Sequence, residues 1–123
     1  MASRLALWGP VALWAGLLFF LSSRSDLGLV GQIPDWITHG MSYTAFAMLL
    51  ARALAGGFFR PLAGRTAFAV VLAVTLYGVS DEWHQSFVPG RDSSAGDVAK
   101  DAGGALLGVL LFRRLASRSG AAS

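Results

Sequence analysis

The chain has 123 residues, of which 54% are hydrophobic and 14% charged, with a net charge of +3 and no cysteine. That length excludes two domains of ordinary size, and a mean hydropathy of +0.57 excludes an ordinary soluble one, so the sequence reads as a single integral membrane domain. Without cysteine there is no disulfide framework, thiolate metal site or thiol nucleophile, and the arginines flank apolar runs rather than form a nucleic-acid-binding face.

Leu5 to Ser23 carries no charge and is long enough to cross a bilayer core, which needs about 20 residues. A cleaved signal peptide is the competing reading, but Ser22-Ser23-Arg24-Ser25-Asp26 is a poor cleavage site, and Trp8, Pro10 and Trp14 are unusual in such a segment. Pro10 is expected to kink this first helix or mark a ragged start. Ser25 to Pro34 reads as a loop, and Asp35 stands where a helix N-cap would. The second helix covers about 35–55 and ends at Gly56-Gly57. A third covers about 66–85 and stops before the Pro89-Gly90 turn. Asp92-Ser93-Ser94 offers caps for a fourth, about 95–112, followed by Arg113-Arg114 and a small polar tail. The expected fold is all-α: a polytopic membrane protein with a four-transmembrane-helix bundle over residues 1–123.

With four spans, Arg4, Arg52, Arg60, Arg65, Arg113, Arg114 and Arg118 share one side, against Arg24, Arg91 and Lys100. The excess of positive charge on cytoplasmic loops places both termini in the cytoplasm of a multi-pass inner-membrane protein. All seven acidic residues lie toward the opposite, outer end. The uncharged runs Trp36–Ala51, Thr66–Ser80 and Ala102–Phe112 are only 16, 15 and 11 residues long, shorter than the roughly 17 to 25 a crossing needs. Asp81, Glu82, Asp97, Lys100 and Asp101 are therefore expected partly below the outer interface, where ionisable groups face the bundle interior and mark function.

Spacing groups them. Asp35, His39 and Tyr43 recur every four residues on the second helix, as do Tyr77, Asp81 and Gln85 on the third, with Glu82 adjacent. Asp97, Asp101, Gly104 and Gly108 share a stripe of the fourth, whose two glycines allow close helix approach. The ligand-binding candidates are Asp35, His39, Tyr43, Asp81, Glu82, Gln85, Arg91, Asp97 and Asp101. Asp81, Glu82, His39 and His84 are the candidates for acid/base catalysis. Each has a structural alternative: Asp35 as a cap, His39 as a buried hydrogen-bonding group, Tyr43 and Tyr77 as packing residues, Arg91 as the counterion of Asp81 or Glu82. Asp and His are competent ligands, so the catalytic reading leaves room for a divalent metal, but nothing comparable to H-E-x-x-H exists and no metal ligands and no cofactor are assigned.

The pieces Asp35-x-x-x-His39-x-x-x-Tyr43, Tyr77-Gly-x-x-Asp81-Glu82-x-His84-Gln85-x-Phe87-x-Pro89-Gly90-Arg91 and Asp97-Val98 with Gly104-x-x-x-Gly108 resemble the VanZ-like family. That resemblance covers roughly two thirds of the chain, a match of order, spacing and context. It departs at Trp36, where the family usually has a basic residue, and at Lys100, where it usually has a small or apolar one. It implies a bacterial inner-membrane protein linked to the cell envelope or to glycopeptide (teicoplanin) susceptibility. The expected partners are membrane lipid and a cell-wall precursor or glycopeptide ligand, with a homo-oligomer an option and nucleic acid excluded.

Three functions fit: an outer-facing pocket that binds an envelope or lipid-linked ligand, an intramembrane acid/base hydrolase or transferase, and a small proton-coupled transporter. Carboxylates at one end only do not make a complete transport pathway.

Overall fold

A computed structural model describes residues 2–121 and holds four α-helices, with no strand among the described residues: α1 (Arg4–Ser22), α2 (Asp35–Ala55), α3 (Gly64–Gln85) and α4 (Ala95–Ala121). A single 3-10 turn, Val30–Gln32, interrupts the loop between α1 and α2.

The ends follow local chemistry. Ser3 Oγ accepts the Ala6 N–H at 3.1 Å to start α1. Gly56, in the left-handed region at φ 85°, closes α2 by donating to the Arg52 carbonyl. At the start of α4, Ser94 Oγ accepts the Asp97 N–H at 3.2 Å. Asp35, by contrast, is the first residue of α2 rather than its cap; Pro34 holds the cap position and no side chain bonds there. The polar tail expected after Arg114 is instead helical through Ala121, and Ala122 and Ser123 lie outside the described residues. Arginine, leucine and alanine are good helix formers, and no proline intervenes, so the charged residues end the apolar run without ending the helix.

Pro10 lies inside α1 and does not break it. Lacking an N–H, it leaves the Ala6 carbonyl without its helical donor. Arg52 of α2 fills that role, its Nη1 donating to Ala6 O at 3.0 Å, with Leu7 O at 3.4 Å. Arg52→Ala is thus expected to cost about 1–2 kcal/mol, measured by unfolding in detergent, and far less in a Pro10→Ala background.

Hydrogen bonds between helices define the packing directions. Arg52 with Ala6, and Trp14 Nε1 with Ser42 O at 2.9 Å, make α1 and α2 antiparallel. Tyr77 OH donates to Ala15 O at 2.6 Å, and His84 meets Ser23, so α1 and α3 run the same way. Helices α2 and α4 run parallel at close range: a Cβ on Gly104 would lie 2.6 Å from Gly40 O, and one on Gly108 would lie 2.5 Å from Thr44 O. Thr44 Oγ1 sits in this seam between Gly40 O at 2.7 Å and Gly104 O at 3.0 Å, with one hydroxyl proton shared between the two carbonyls. Tyr43, Phe46, Val70, Val74, Val109 and Phe112 build the apolar core beneath it.

The outside is apolar as well. Phe68, Leu72, Leu76, Val79 and Trp83 form an exposed stripe on α3, and Leu106, Leu107, Leu110 and Leu111 another on α4. Among the described residues one helix, α1, is long and apolar enough to cross a membrane by length and composition. Asp81, Glu82, Gln85, Asp97 and Asp101 are buried. Buried carboxylates at one end of an apolar core, together with large apolar side chains on the surface, depart from the usual arrangement of a water-soluble fold.

Candidate functional site

These directions bring the C-terminal ends of α1 and α3 to the N-terminal ends of α2 and α4, and the candidate residues gather there. They occupy two compartments that share His39.

The first is a cavity of about 260 Å³ between α1, the following loop, α2 and α3. Asp35, His39, Tyr43, Asp81, Gln85 and Arg91 supply its polar lining. Leu18, Leu21, Leu27, Val30, Ile33 and Met41 supply an apolar wall. Gln85 Nε2 donates to Asp81 Oδ2 at 3.1 Å, which orients both. The Tyr43 hydroxyl is buried without a hydrogen-bond partner. Arg91 is half-buried and its Nε is likewise unpartnered. Its guanidinium forms no ion pair within 4.0 Å among the described residues, so it does not serve as the counterion of Asp81 or Glu82.

The second compartment is a carboxylate cluster behind His39. His39 Nδ1–H donates to Asp101 Oδ1 at 2.6 Å, a charge-assisted bond, and Nε2 lies 4.0 Å from Asp97 Oδ2. Glu82 Oε2 accepts the Ser94 backbone N–H at 2.8 Å, which ties the end of α3 to the start of α4. Lys100 Nζ donates to Asp97 Oδ1 at 2.9 Å, so the unusual lysine neutralises Asp97 rather than lining the cavity. Two oxygens are buried without partners, Glu82 Oε1 and Asp101 Oδ2. The latter lies against α3 where a Cβ on Gly78 would be 2.7 Å away, and glycine there is what admits the carboxylate. Asp101 is six residues into α4, about 9 Å along its axis.

Of the candidates, His84 lies in neither compartment; it lines a separate recess of about 230 Å³ with Tyr77 and Asp81. Its ring stacks on Phe19 at 4.6 Å, and its Nε2 lies 2.9 Å from Ser23 Oγ. Because the Ser23 hydroxyl proton is donated to Phe19 O at 2.7 Å, His84 is the donor to Ser23. It fastens α3 to α1. Tyr77, with its hydroxyl on Ala15 O, is a packing residue too.

The sequence pattern missed the wall from α1 and the loop. Leu27, Val30 and Ile33 were its signal: three apolar residues in a loop otherwise expected to be exposed and mixed. It also missed a grouping across helices. One donor atom each from His39 of α2, Glu82 of α3 and Asp101 of α4 lies within 4.8 Å of the others, an arrangement able to hold a metal ion that no spacing within one helix displays.

Chemically, the site offers a hydrogen-bonded carboxylate–imidazole pair facing a cavity, an uncommitted guanidinium across that cavity, and an apolar surface beside both. A family model described as VanZ/LLP1 matches residues 7–116, and the chain belongs to that family. No curated protein and no solved structure matches it.

Proposed function

We propose, with membership of this family as the premise, that the protein is a four-span inner-membrane protein whose outer-facing cavity binds an anionic, lipid-linked ligand of the cell envelope. The observation that carries this is the cavity's division into an apolar wall from α1 and its loop and a polar lining that contains the uncommitted Arg91. A guanidinium fork suits a phosphate or carboxylate, while Leu18, Leu21 and Met41 suit a hydrocarbon chain.

The membrane setting rests on the apolar surface. Exposed stripes on α3 and α4 face outward while the carboxylates face in, and Trp36 and Trp83 are exposed at the acidic end, as interfacial anchors are. On α2 and α4 the charged residues contact one another, and on α3 Asp81 and Glu82 accept hydrogen bonds from Gln85 and the Ser94 N–H, which lowers the cost of holding these helices in a membrane. The arginine-rich end then faces the cytoplasm, and the link to glycopeptide susceptibility is carried by family membership alone.

A second reading has its own observation. Asp101 orients His39, and His39 lines the cavity, the relation a general base has to its orienting carboxylate. An intramembrane hydrolase or transferase of this design would turn over a lipid-linked phosphate and lose that activity in His39→Gln.

The native absence of cysteine makes the membrane placement directly testable. Single cysteines in place of Asp35 and Ser117 are expected to differ. A membrane-impermeant maleimide applied to spheroplasts should label position 35, while position 117 should label only after permeabilisation. Labelling of position 117 from outside, with position 35 protected, would reverse the orientation and remove the outer-leaflet ligand.

A further inference from the structure

We propose that His39, Glu82 and Asp101 form a binding site for a single first-row divalent cation of the Mn²⁺ or Zn²⁺ type, built from three helices at the inner end of the recess.

Three observations converge on this. The donors are already collected: one ligand atom from each residue lies within 4.8 Å of the others. A tetrahedral ion with bonds of about 2.1 Å needs its ligands about 3.4 Å apart, so no pair of donors must close by more than about 1.4 Å. His39 Nδ1 and Asp101 Oδ1, now 2.6 Å apart, instead open by about 0.8 Å as the ion replaces the proton between them, which is released to solvent.

The second is unspent valence. Asp101 is fully buried and Glu82 is 7% exposed, yet Asp101 Oδ2 and Glu82 Oε1 have no hydrogen-bond partner. Buried carboxylate oxygens are normally paired or bound to a metal, because an unmatched one forfeits its hydration without return. Both oxygens belong to residues of the gathered set, and a cation held there would give each carboxylate a partner in place of water.

The third is charge. Asp81, Glu82, Asp97 and Asp101 lie in one region, and the cationic partners among the described residues are Lys100, spent on Asp97, and His39. Arg91 contributes no ion pair. A divalent ion held by His39, Glu82 and Asp101 supplies positive charge directly to two of these carboxylates.

One imidazole with two carboxylates favours Mn²⁺ or Zn²⁺ over Mg²⁺ or Ca²⁺, whose sites are built of oxygen alone. Three protein ligands leave at least one coordination position open. Asp97, beyond His39 Nε2, is placed as an outer partner that steadies the set. The Gly78 position belongs to the same construction, since any side chain there would occupy the space that Asp101 Oδ2 uses.

The test uses the full chain, purified in detergent and stripped with chelator. Titration with MnCl₂, followed by the loss of the free-ion electron paramagnetic resonance signal, is expected to show one ion per chain. Glu82→Gln and Asp101→Asn are each expected to weaken binding at least about 10-fold, while Asp26→Asn, on an exposed loop residue, leaves it unchanged. Pulsed resonance on the Mn²⁺-loaded wild type should detect one coordinated imidazole nitrogen, lost in His39→Gln and kept in His84→Gln. That readout needs neither carboxylate variant to fold and no lipid, so it stands or falls separately from the ligand reading. No binding of Mn²⁺ or Zn²⁺ at about 1 mM, or a bound ion without nitrogen coupling, overturns the proposal, as does binding that survives both carboxylate substitutions.

Discussion

A chain carrying Gly104→Leu is expected not to accumulate as folded protein, whereas Gly103→Ala, one residue away, should fold as well as wild type or better. The difference comes from the α2–α4 seam. A Cβ at position 104 would meet Gly40 O at 2.6 Å, Thr44 N at 3.2 Å and Tyr43 Cβ at 3.2 Å, two of them backbone atoms that no rotamer change can remove. Nothing lies within 4 Å of a Cβ at position 103. There alanine's better helix propensity, about 1 kcal/mol over glycine, is the only effect. Inserting even one methylene into a tight core costs about 1–3 kcal/mol, and leucine adds three carbons beyond the Cβ. Helix separation would also pull His39 from Asp101, since both lie one turn from this crossing. Gly104→Ala should therefore be an intermediate case, folded but weakened and with an impaired site. Size-exclusion profiles and unfolding midpoints in detergent measure the series. Equal behaviour of Gly103→Ala and Gly104→Leu would contradict the packing described.

That seam was legible in the sequence, because Gly104 and Gly108 recur on the stripe that carries Asp97 and Asp101. The helix periods likewise grouped Asp35, His39 and Tyr43, and Asp81 with Gln85, and the structure sets both groups along one cavity. What helical spacing could not supply is which helices face each other. The pairing of His39 with Asp101, rather than with Asp81 or Glu82, depends on α2 and α4 being parallel neighbours, a matter of three-dimensional connectivity. Two other features were invisible for local reasons. Arg52 reads as an end-of-helix cation on its own strand of sequence, and only the missing donor of Pro10, far away in the chain, explains its place. The end of α4 was misjudged because a change from apolar to charged residues marks a change of environment, not of backbone conformation.

Arg91 carries the other large effect. Its guanidinium lines the cavity with no ion pair among the described residues, and a ligand phosphate is the group that would complete it. Losing a hydrogen-bonded charge contact of about 2 kcal/mol weakens binding roughly 30-fold, and that is the expected result for Arg91→Ala. Arg91→Lys should fall between, since it keeps the charge but loses the planar fork. The apolar wall is untouched in both variants, so affinity for an uncharged lipid of the same chain length should not change. The deciding measurement compares wild type and Arg91→Ala in nanodiscs, binding a long-chain polyprenyl phosphate and the corresponding alcohol. Wild type is expected to prefer the phosphate by at least about 10-fold, and that preference to collapse in Arg91→Ala. Equal affinity of the wild-type protein for phosphate and alcohol would contradict it.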